Sequence, residues 1–517
     1  MRRDDCLYVD KTRYVYNLVS QEADSYFFIA RPRKFGKSLL CSTLESLFSG
    51  EKEFFRGLYI YDTDYDFRKY PVYHLDFSQV KSTNHEIFLS MFQQMLKDEA
   101  AKNGLNIEKM DPSEMITAIF RETEEEIVII VDEYDFPIIH TLHDKAVREP
   151  IREDLNSFYS IIKGNGEKIR LFFATGVSKF SNLSIFSGLN NTNDLTLNPN
   201  YSAFLGYTEE EVRSCFSDYI EKYLCCHPDT DREDFLENVR SYYDGYHFSW
   251  KNDEKVYNPV SVGFFFKNGC EFDYYWEETG NSTLAVTLAR EFNLLPLISE
   301  GEEFYTRIIG TFDMSLIARH SVTREQVLTL LFYAGYLTIK EGSRFAVSLT
   351  FPNTEVRTSF TQSLILNYTE NRLDVGRYAA KADRLVMKED TASLIPLLQD
   401  YYEEFPYVLL EKDEESQVIT ERSIQLIFFG FFVSFGAKPI AEEPVLRGRS
   451  DIVFFSGDIV YIVELKVDES AEKALKQIHE KGYARKYLHK KRRVHLVGIN
   501  FRSETRDISD WKEEILE

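Results

Sequence analysis

A short apolar run followed by a glycine–lysine–serine triplet is the feature that most constrains the fold. Residues 26–30 are apolar, Pro32 cannot donate to a strand ladder, and leucines recur at helical spacing after Gly36-Lys37-Ser38. A strand, a tight loop and a helix in this order form a P-loop, whose amides and helix N-terminus bind phosphates. The pattern predicts a phosphate-binding loop; the alternative is a basic turn before a helix.

The predicted loop departs from the general P-loop motif at one position. The motif has glycine five residues before its second glycine, and this chain has Arg31 there. A side chain at that place restricts the backbone conformations of the loop. We still expect Lys37 to reach the β- and γ-phosphates and the Ser38 hydroxyl to contact Mg²⁺. The residues expected to bind ATP are Arg33, Lys34, Phe35, Gly36, Lys37, Ser38 and Leu39.

A second apolar segment ends in carboxylates. Residues 127–131 are all β-branched and are followed by Asp132 and Glu133, which is typical of a central parallel strand. Open α/β sheets bind ligands at this end of their strands. We expect Asp132 to hold Mg²⁺ through water and Glu133 to polarise the attacking water. An acidic loop after a strand is the alternative, but the pairing with Gly36-Lys37-Ser38 favours an ATPase.

Further strands complete the predicted sheet. Residues 71–77 and 169–175 read as strands, and residues 194–197 as the last one. Thr175 ends its strand at the same edge of the sheet. Its hydroxyl is interpreted as a sensor that contacts the γ-phosphate or the attacking water; the alternative is that it only caps the strand end. Strands joined by helices force parallel pairing, so we expect a three-layer α/β sandwich.

Four sequence segments resemble those of a known family. Tyr8-Val-Asp-Lys-Thr, residues 31–38, Asp132-Glu-Tyr-Asp and residues 175–181 resemble the bacterial AAA-ATPase-like family joined to a C-terminal PD-(D/E)XK nuclease domain. The family itself carries an arginine at the position of Arg31. The resemblance covers nearly the whole chain and implies ATP and Mg²⁺ as cofactors. It predicts an ATPase core (1–200), a helical lid (201–300), a winged-helix-like and helical connector (301–400) and a restriction-endonuclease-like α/β domain (401–517).

Composition limits the partners. A chain of 517 residues is too long for a single hydrophobic core and predicts several domains. Because its net charge is −23, any surface that binds nucleic acid must be a local patch. The six cysteines lack a paired zinc spacing, which favours thiols in a reducing cytosol. Since no apolar run reaches the roughly 18 residues of a membrane span, we expect a cytoplasmic protein that contacts no membrane.

The middle of the chain holds no assignable chemistry. Tyrosines in residues 242–248 are interpreted as lid core. Residues 323–360 predict a helix, a hairpin and a second helix, the outline of a winged helix; because the hairpin is not basic, protein packing is favoured over DNA binding. The sequence does not identify which residue would act as an arginine finger. Arg213, Arg232 and Arg240 are candidates within the chain, and a neighbouring subunit is the other possible source.

The C-terminal segment carries the pattern of a metal-dependent nuclease. Glu464 and Lys466 share one face of a predicted strand, across from Asp451 on its neighbour. The two carboxylates and the Leu465 carbonyl would hold Mg²⁺, while Lys466 orients the nucleophile. The resemblance also implies supporting roles for Glu421 and Gln477.

Residues 473–493 form a basic strip in this acidic chain, with nine Lys and Arg against Glu480. The strip suits a phosphate backbone, with DNA favoured over RNA; the alternative is a solvated helix face. We therefore expect an ATPase coupled to a Mg²⁺-dependent nuclease. The alternatives are a nucleotide switch whose nuclease-like domain only binds nucleic acid or protein, and a sensor or defence assembly acting as a homo-oligomer.

Overall fold

The computed structural model describes residues 7–20, 25–108, 110–141, 144–177, 179, 192–276, 304–306, 323–343, 345–368, 374–405, 421–434, 440–445, 448–456, 459–488 and 493–516. The chain forms two compact units, one of residues 1–280 and 305–353, and one of residues 281–304 and 354–517. The finer boundaries at residues 200, 300 and 400 stay a prediction. Within the described ranges, each helix is too short or too polar to cross a bilayer.

The first unit is built on a five-stranded parallel sheet of order β2-β3-β4-β1-β5. This confirms the predicted α/β class. β3 is buried along its whole length, as its β-branched run predicts. The strands are β1 (Tyr26–Ala30), β2 (Val72–Asp76), β3 (Ile127–Asp132), β4 (Ile169–Gly176) and β5 (Asn193–Asp194).

The last strand is shorter than predicted. The Asp194 carboxylate accepts a 2.9 Å hydrogen bond from the Thr196 amide, which turns the chain directly after Asp194, the last residue of β5. The Ala30 amide donates a 3.0 Å hydrogen bond to the Thr196 hydroxyl, so its partner here is a side chain and not a strand backbone. The expectation of a strand over residues 194–197 was therefore wrong in its extent.

Helices flank this sheet. α2 contacts β2 and β3, α3 contacts β2, and α3, α4 and α6 pack on one another. The Asn84 side chain accepts a hydrogen bond from the Ile87 amide and caps α3. The helices are α1 (Thr12–Val19), α2 (Lys37–Phe48), α3 (His85–Lys102), α4 (Pro112–Glu122), α5 (Phe136–Ile139) and α6 (Lys145–Gly164).

Four further helices of the first unit lie in the segment predicted to be the lid, and that name is kept for them. Tyr242, Tyr243, Phe265 and Phe216 share one buried core there, which confirms the interpretation of the tyrosines as packing residues. The lid helices are α7 (Glu209–Cys215), α8 (Ser217–Cys226), α9 (Arg232–Tyr243) and α10 (Pro259–Lys267), and β6 (Tyr246–His247) pairs with β7 (Lys255–Val256).

The predicted helix and hairpin of residues 323–350 are present. α11 (Arg324–Ala334) ends at Gly335, whose φ of 90° is the left-handed conformation typical of a helix C-terminus. β9 (Thr338–Gly342) pairs antiparallel with β10 (Val347–Thr350), and β8 (Phe304–Thr306) completes the sheet. The His247 amide donates to the Thr338 hydroxyl at 2.6 Å, so the hairpin packs on the lid of its own unit.

The second unit holds a five-stranded mixed sheet of order β11-β12-β13-β14-β15. β13 and β14 are parallel, and the other neighbours are antiparallel. The strands are β11 (Ile440–Val445), β12 (Gly448–Ser456), β13 (Ile459–Val467), β14 (Arg493–Arg502) and β15 (Asp507–Leu516). The helices are α12 (Thr354–Tyr368), α13 (Val375–Met387), α14 (Thr391–Glu403), α15 (Glu421–Ser434), α16 (Ala471–Lys481) and α17 (Arg485–Leu488).

The expectation that residues 494–498 close this unit was wrong, because β15 follows and pairs along β14. β15 is an edge strand whose residues are all exposed or half-buried. Its run of acidic and basic residues lacks the apolar alternation that predicts a strand.

Candidate nucleotide and metal sites

The loop between β1 and α2 has the backbone of a phosphate-binding loop. Gly36 precedes α2 with φ 88° and Lys34 has φ 68°, so both adopt left-handed conformations. A Cβ added at Gly36 would meet no atom within 4 Å, so the loop is open on that side. Glycine is needed at position 36 for its backbone angle rather than for space.

Lys37 begins α2 and is only 4% exposed. Its ammonium donates hydrogen bonds of 3.0 Å to the carbonyls of Arg31 and Pro32. Burial lowers the pKa of Lys37, and the carboxylates of Glu133 and Asp132 oppose that shift. The lysine therefore lies within electrostatic range of both acids that were predicted to accompany it.

Arg31 acts as a fixed tie within the first unit. Its guanidinium is fully buried and donates to the carbonyls of Thr196 at 2.8 Å and Tyr201 at 3.1 Å. It also lies 4.0 Å from the centre of the Phe248 ring. Burial lowers the pKa of Arg31 to about 9. The residue that replaces the motif's first glycine thus joins the loop to the segment after β5.

Phe35 is placed by the tyrosine-rich segment of residues 242–248. Its ring meets Tyr246 edge-on at 4.7 Å and Phe248 at 5.5 Å. Phe35 is buried, and among the predicted loop residues it supports the loop from behind. Sequence reasoning assigned this segment to the lid core and missed its contact with the loop, since aromatic clusters give no partner information.

Polar groups from β3 and β4 meet at the carboxyl edge of the sheet. The Thr175 hydroxyl donates a 2.5 Å hydrogen bond to Asp132 Oδ1. The Glu133 amide also donates to that oxygen at 3.1 Å, with Glu133 at φ 51°. Burial raises the pKa of Glu133, and the Lys37 ammonium opposes the rise. Asp132 and Thr175 are both buried, so the threonine acts on the aspartate.

A cleft of about 910 Å³ opens beside the loop. Six of the seven predicted loop residues line it, all except Phe35, together with Glu133. Aromatic side chains also line it: Phe136 stacked on His140 at 3.8 Å, and Phe216 stacked on Phe266 at 4.7 Å. These aromatic residues were not predicted, because rings at helical spacing look like ordinary core.

The three candidate arginine fingers are held in ion pairs within the lid. Arg213 lies 2.6 Å from Glu209, Arg240 lies 2.9 Å from the same carboxylate, and Arg232 contacts Glu221. Lys179 similarly pairs with Asp194 at 2.6 Å. None of these four cations lines the cleft.

In the second unit, Glu464 lies on β13 and is fully buried. The Lys466 ammonium donates to Glu464 Oε1 at 3.4 Å, and the Gln477 amide donates to the same oxygen. The expected convergence of Glu464 and Lys466 is therefore present, with Gln477 of α16 as a third member. Leu465 between them is buried.

A glycine allows α16 to come this close. Gly498 pairs with Glu464 across β13 and β14. A Cβ at Gly498 would lie 2.5 Å from the Ala471 carbonyl oxygen and 3.0 Å from the Leu475 amide. A larger residue would push α16, and with it Gln477, away from the strand.

The side chains of Asp451 and Glu421 lie outside the described residues, so their expected positions stay predictions. The backbone register pairs Ile452 of β12 with Val463 of β13. Because the strands are antiparallel, the next positions along them place Asp451 opposite Glu464. Directly opposite residues of antiparallel strands share a face, so the register is that expected for the metal site.

The basic strip is described only in part, since residues 489–492 and the side chains of Arg485 and Lys486 lie outside the described residues. Within the described part, Lys473 pairs with Glu469 at 3.6 Å and Lys476 with Glu480 at 3.6 Å. Arg493 lies 3.0 Å from a glutamate of the same unit. Three of the basic residues of the strip whose side chains are described are therefore paired with glutamates.

Comparison with known proteins matches a segment at each end of the chain to a family. Residues 1–186 match the family described as "Predicted AAA-ATPase", and residues 419–511 match the "PD-(D/E)XK nuclease superfamily". An Azotobacter chroococcum mcd 1 protein, described as "Uncharacterized protein in vnfD 5'region", is 30% identical over 99% of this chain and 96% of its own length.

Among solved structures, "Structure of Drosophila ORC bound to AT-rich DNA and Cdc6" contains a chain 12% identical to this one. The match covers 68% of this chain and 88% of that chain, and its TM-score of 0.22 is too low to carry an argument. The two family matches lie one in each unit, and the Azotobacter relative covers both. The chain belongs to the AAA-ATPase-like family that carries a C-terminal PD-(D/E)XK nuclease superfamily domain.

Proposed function

We propose that the first unit binds and hydrolyses ATP with Mg²⁺. The observation that carries this proposal is the convergence of Lys37, Glu133 and the Thr175–Asp132 pair at one edge of the sheet. Amides at the start of α2 and the Lys37 ammonium would bind the phosphates. Ser38 and Asp132 would hold Mg²⁺, which when bound neutralises phosphate charge.

Within this proposal, Glu133 is the base that polarises the attacking water. Its partial burial beside the cleft keeps a proton acceptor close to the phosphates. The stacked aromatic pairs of the cleft would contact the adenine. The lysine would exchange its contacts with the Arg31 and Pro32 carbonyls for the nucleotide.

The test separates binding from turnover. Lys37→Ala should abolish ATP binding in calorimetry, whereas Glu133→Gln should bind ATP and hydrolyse it about 10²- to 10⁴-fold more slowly. Glu126→Gln, which changes an exposed carboxylate just before β3, is the matched control and should behave as wild type. Normal turnover by Glu133→Gln would contradict the assigned base.

We further propose that the second unit is a metal-dependent phosphodiesterase that acts on nucleic acid, with DNA favoured. Support comes from the contact of Lys466 and Gln477 with the buried Glu464. Three hard oxygen ligands, from Asp451, Glu464 and the Leu465 carbonyl, suit Mg²⁺. Lys466 would orient the water and offset developing negative charge.

Incubation of DNA and RNA with the full chain, Mg²⁺ and either ATP or no nucleotide tests this activity. We expect Asp451→Ala and Lys466→Ala to abolish cleavage, and Glu469→Gln, on the same unit, to retain it. Equal nicking by wild type and Asp451→Ala would refute the nuclease. If Lys37→Ala cleaved normally under every condition, the two activities would be uncoupled.

One observation favours a second candidate, in which the nuclease-like unit only binds a partner. The described strip residues Lys473, Lys476 and Arg493 are paired with glutamates, which reduces the charge available to a phosphate backbone. This candidate predicts no cleavage of any substrate. A homo-oligomeric sensor would instead show ATP-dependent self-association in sizing experiments.

A further inference from the structure

Beneath the loop helix α2 lies a group of three side chains that the proposed ATPase chemistry does not use as a set. Cys41 of α2, His74 of β2 and Asp132 of β3 each offer one ligand atom, and these atoms all lie within 4.8 Å of one another. Cys41 is fully buried and Asp132 nearly so. Within the described residues, these three side chains form a group that is close enough together to hold a metal ion.

The histidine of this group is oriented as metal-binding histidines are. Its Nδ1 is 2.8 Å from the carboxylate of Glu45. Its other nitrogen, Nε2, is buried and has no hydrogen-bond partner. With Nδ1 donating to Glu45, the neutral ring presents the Nε2 lone pair. Histidines that ligate metals commonly donate their second ring nitrogen to a carboxylate in this way.

α2 supplies both the sulfur and the supporting carboxylate. Cys41 and Glu45 are four residues apart and therefore lie on the same face of the helix. Burial raises the pKa of the Cys41 thiol well above its ordinary value. The buried Nε2 of His74 thus lies near the Cys41 sulfur and the Asp132 carboxylate but makes a hydrogen bond to neither.

We propose that Cys41, His74 and Asp132 bind a borderline divalent cation of the Zn²⁺ class. Zinc takes thiolate, imidazole and carboxylate ligands at about 2.0–2.3 Å, and small side-chain rotations would bring the three atoms to that distance. Magnesium prefers all-oxygen ligands, so the sulfur and nitrogen separate this site from the nucleotide's metal. Binding requires the Cys41 thiol to lose its proton and the His74 ring to be neutral at Nε2.

Occupancy would have a consequence for the nucleotide site, and this consequence rests on the proposed ATPase function. Asp132 would be shared between the zinc-class cation and the Mg²⁺ of the nucleotide. A cation bound to Cys41 and His74 would draw the carboxylate away from that role. Zinc-class cations would therefore inhibit ATP hydrolysis from a position behind the loop.

Cobalt binding by the full chain, without nucleotide, tests the site directly. The protein should carry Cys225→Ser and Cys226→Ser, which remove two exposed thiols beside His227. Titration with Co²⁺ should then produce a thiolate-to-cobalt absorption band that saturates at one ion per chain. Cys41→Ser should eliminate the band, and His74→Gln should eliminate saturable binding.

Two further variants sharpen the result. Glu45→Gln should weaken Co²⁺ affinity by about 10- to 100-fold, since it removes only the histidine's supporting carboxylate. Cys270→Ser, at a buried thiol in the lid, should retain the band unchanged. Circular dichroism establishes that each variant is folded; if Cys41→Ser does not fold, His74→Gln decides the question.

No band in the Cys225→Ser, Cys226→Ser protein, or an equal band after Cys41→Ser, would overturn the site. The inhibitory consequence is measured separately, as the ratio of ATPase rates with and without Zn²⁺ at saturating Mg²⁺. That ratio should fall in wild type and stay near one in Cys41→Ser. If the chain hydrolysed no ATP, the proposed ATPase would fail while the cobalt result would stand.

Discussion

The Thr175 hydroxyl donates a 2.5 Å hydrogen bond to Oδ1 of Asp132 and so joins the ends of β4 and β3. Both side chains are buried, and the bond fixes the carboxylate that is proposed to hold Mg²⁺. Because this threonine holds an aspartate of the protein itself, its removal should change the stability of the protein even when no nucleotide is bound. A threonine that contacted only phosphate would have no such effect.

Thr175→Val should remove this bond while keeping the side-chain shape. We expect the free energy of unfolding to fall by about 1.5–3 kcal/mol, since a buried carboxylate loses a donor. ATP turnover should fall about tenfold, equivalent to about 1.4 kcal/mol. Urea unfolding and steady-state ATPase assays measure the two effects. Thr175→Ser, which keeps the hydroxyl, is the control; equal losses in both variants would assign the effect to packing.

Arg31→Met should destabilise the first unit even without nucleotide. The substitution removes the guanidinium that donates hydrogen bonds to the Thr196 and Tyr201 carbonyls. Each carbonyl left without a donor should cost about 1–3 kcal/mol of stability. Arg31→Lys should recover only part of the loss, because an ammonium cannot reproduce the planar fork. Thermal unfolding monitored by circular dichroism provides the measurement. Wild-type stability in Arg31→Lys would contradict the proposed tie.

Asp244 should make the stability of the lid depend on pH. Burial raises the pKa of Asp244 from 3.8 to about 6, so the folded state holds a proton that the unfolded chain has released. The stabilisation is fully present below about pH 4 and is lost as the pH rises through 6. Between pH 5 and pH 8 the loss should be about 1–2 kcal/mol.

Asp244→Asn isolates this contribution, since the other titrating groups are common to both proteins. Its free energy of unfolding, relative to wild type, should therefore increase by that amount from pH 5 to pH 8. Denaturant titrations at the two pH values give the difference. A constant difference between the two proteins would show that Asp244 titrates normally.

Gly498→Ala should disturb the second site from a distance. The added Cβ would approach the Ala471 carbonyl oxygen to 2.5 Å, and forced overpacking of this kind costs about 1–3 kcal/mol. Displacement of α16 should also weaken the Gln477–Glu464 contact and lower any cleavage activity. Gly376→Ala, where the nearest atom would be 3.8 Å away, is the matched control. It should leave both stability and cleavage unchanged or slightly raise stability.

Local patterns were sufficient for several elements. The β-branched run of residues 127–131 required a buried central strand, and Gly36-Lys37-Ser38 after an apolar strand required a loop that opens a helix. The spacing of Glu464 and Lys466 put both on one strand face, where they contact each other. These predictions depend on neighbours in sequence, and short-range geometry is nearly the same in every fold.

Other features depend on contacts between distant segments. The tie from Arg31 to the residues after β5, the packing of Tyr246 on Phe35, and the approach of α16 over Gly498 are examples. β15 was missed because an edge strand with a polar face has no apolar alternation.

The sequence by itself determined which residues could carry phosphate and metal chemistry, because residue type and spacing decide donor, acceptor and strand face. Only the tertiary structure decided which of them meet: Thr175 with Asp132, Gln477 with Glu464, and Cys41 with His74. Each of these pairs joins two different elements, and the distance between their side chains is set by packing of the sheets and helices.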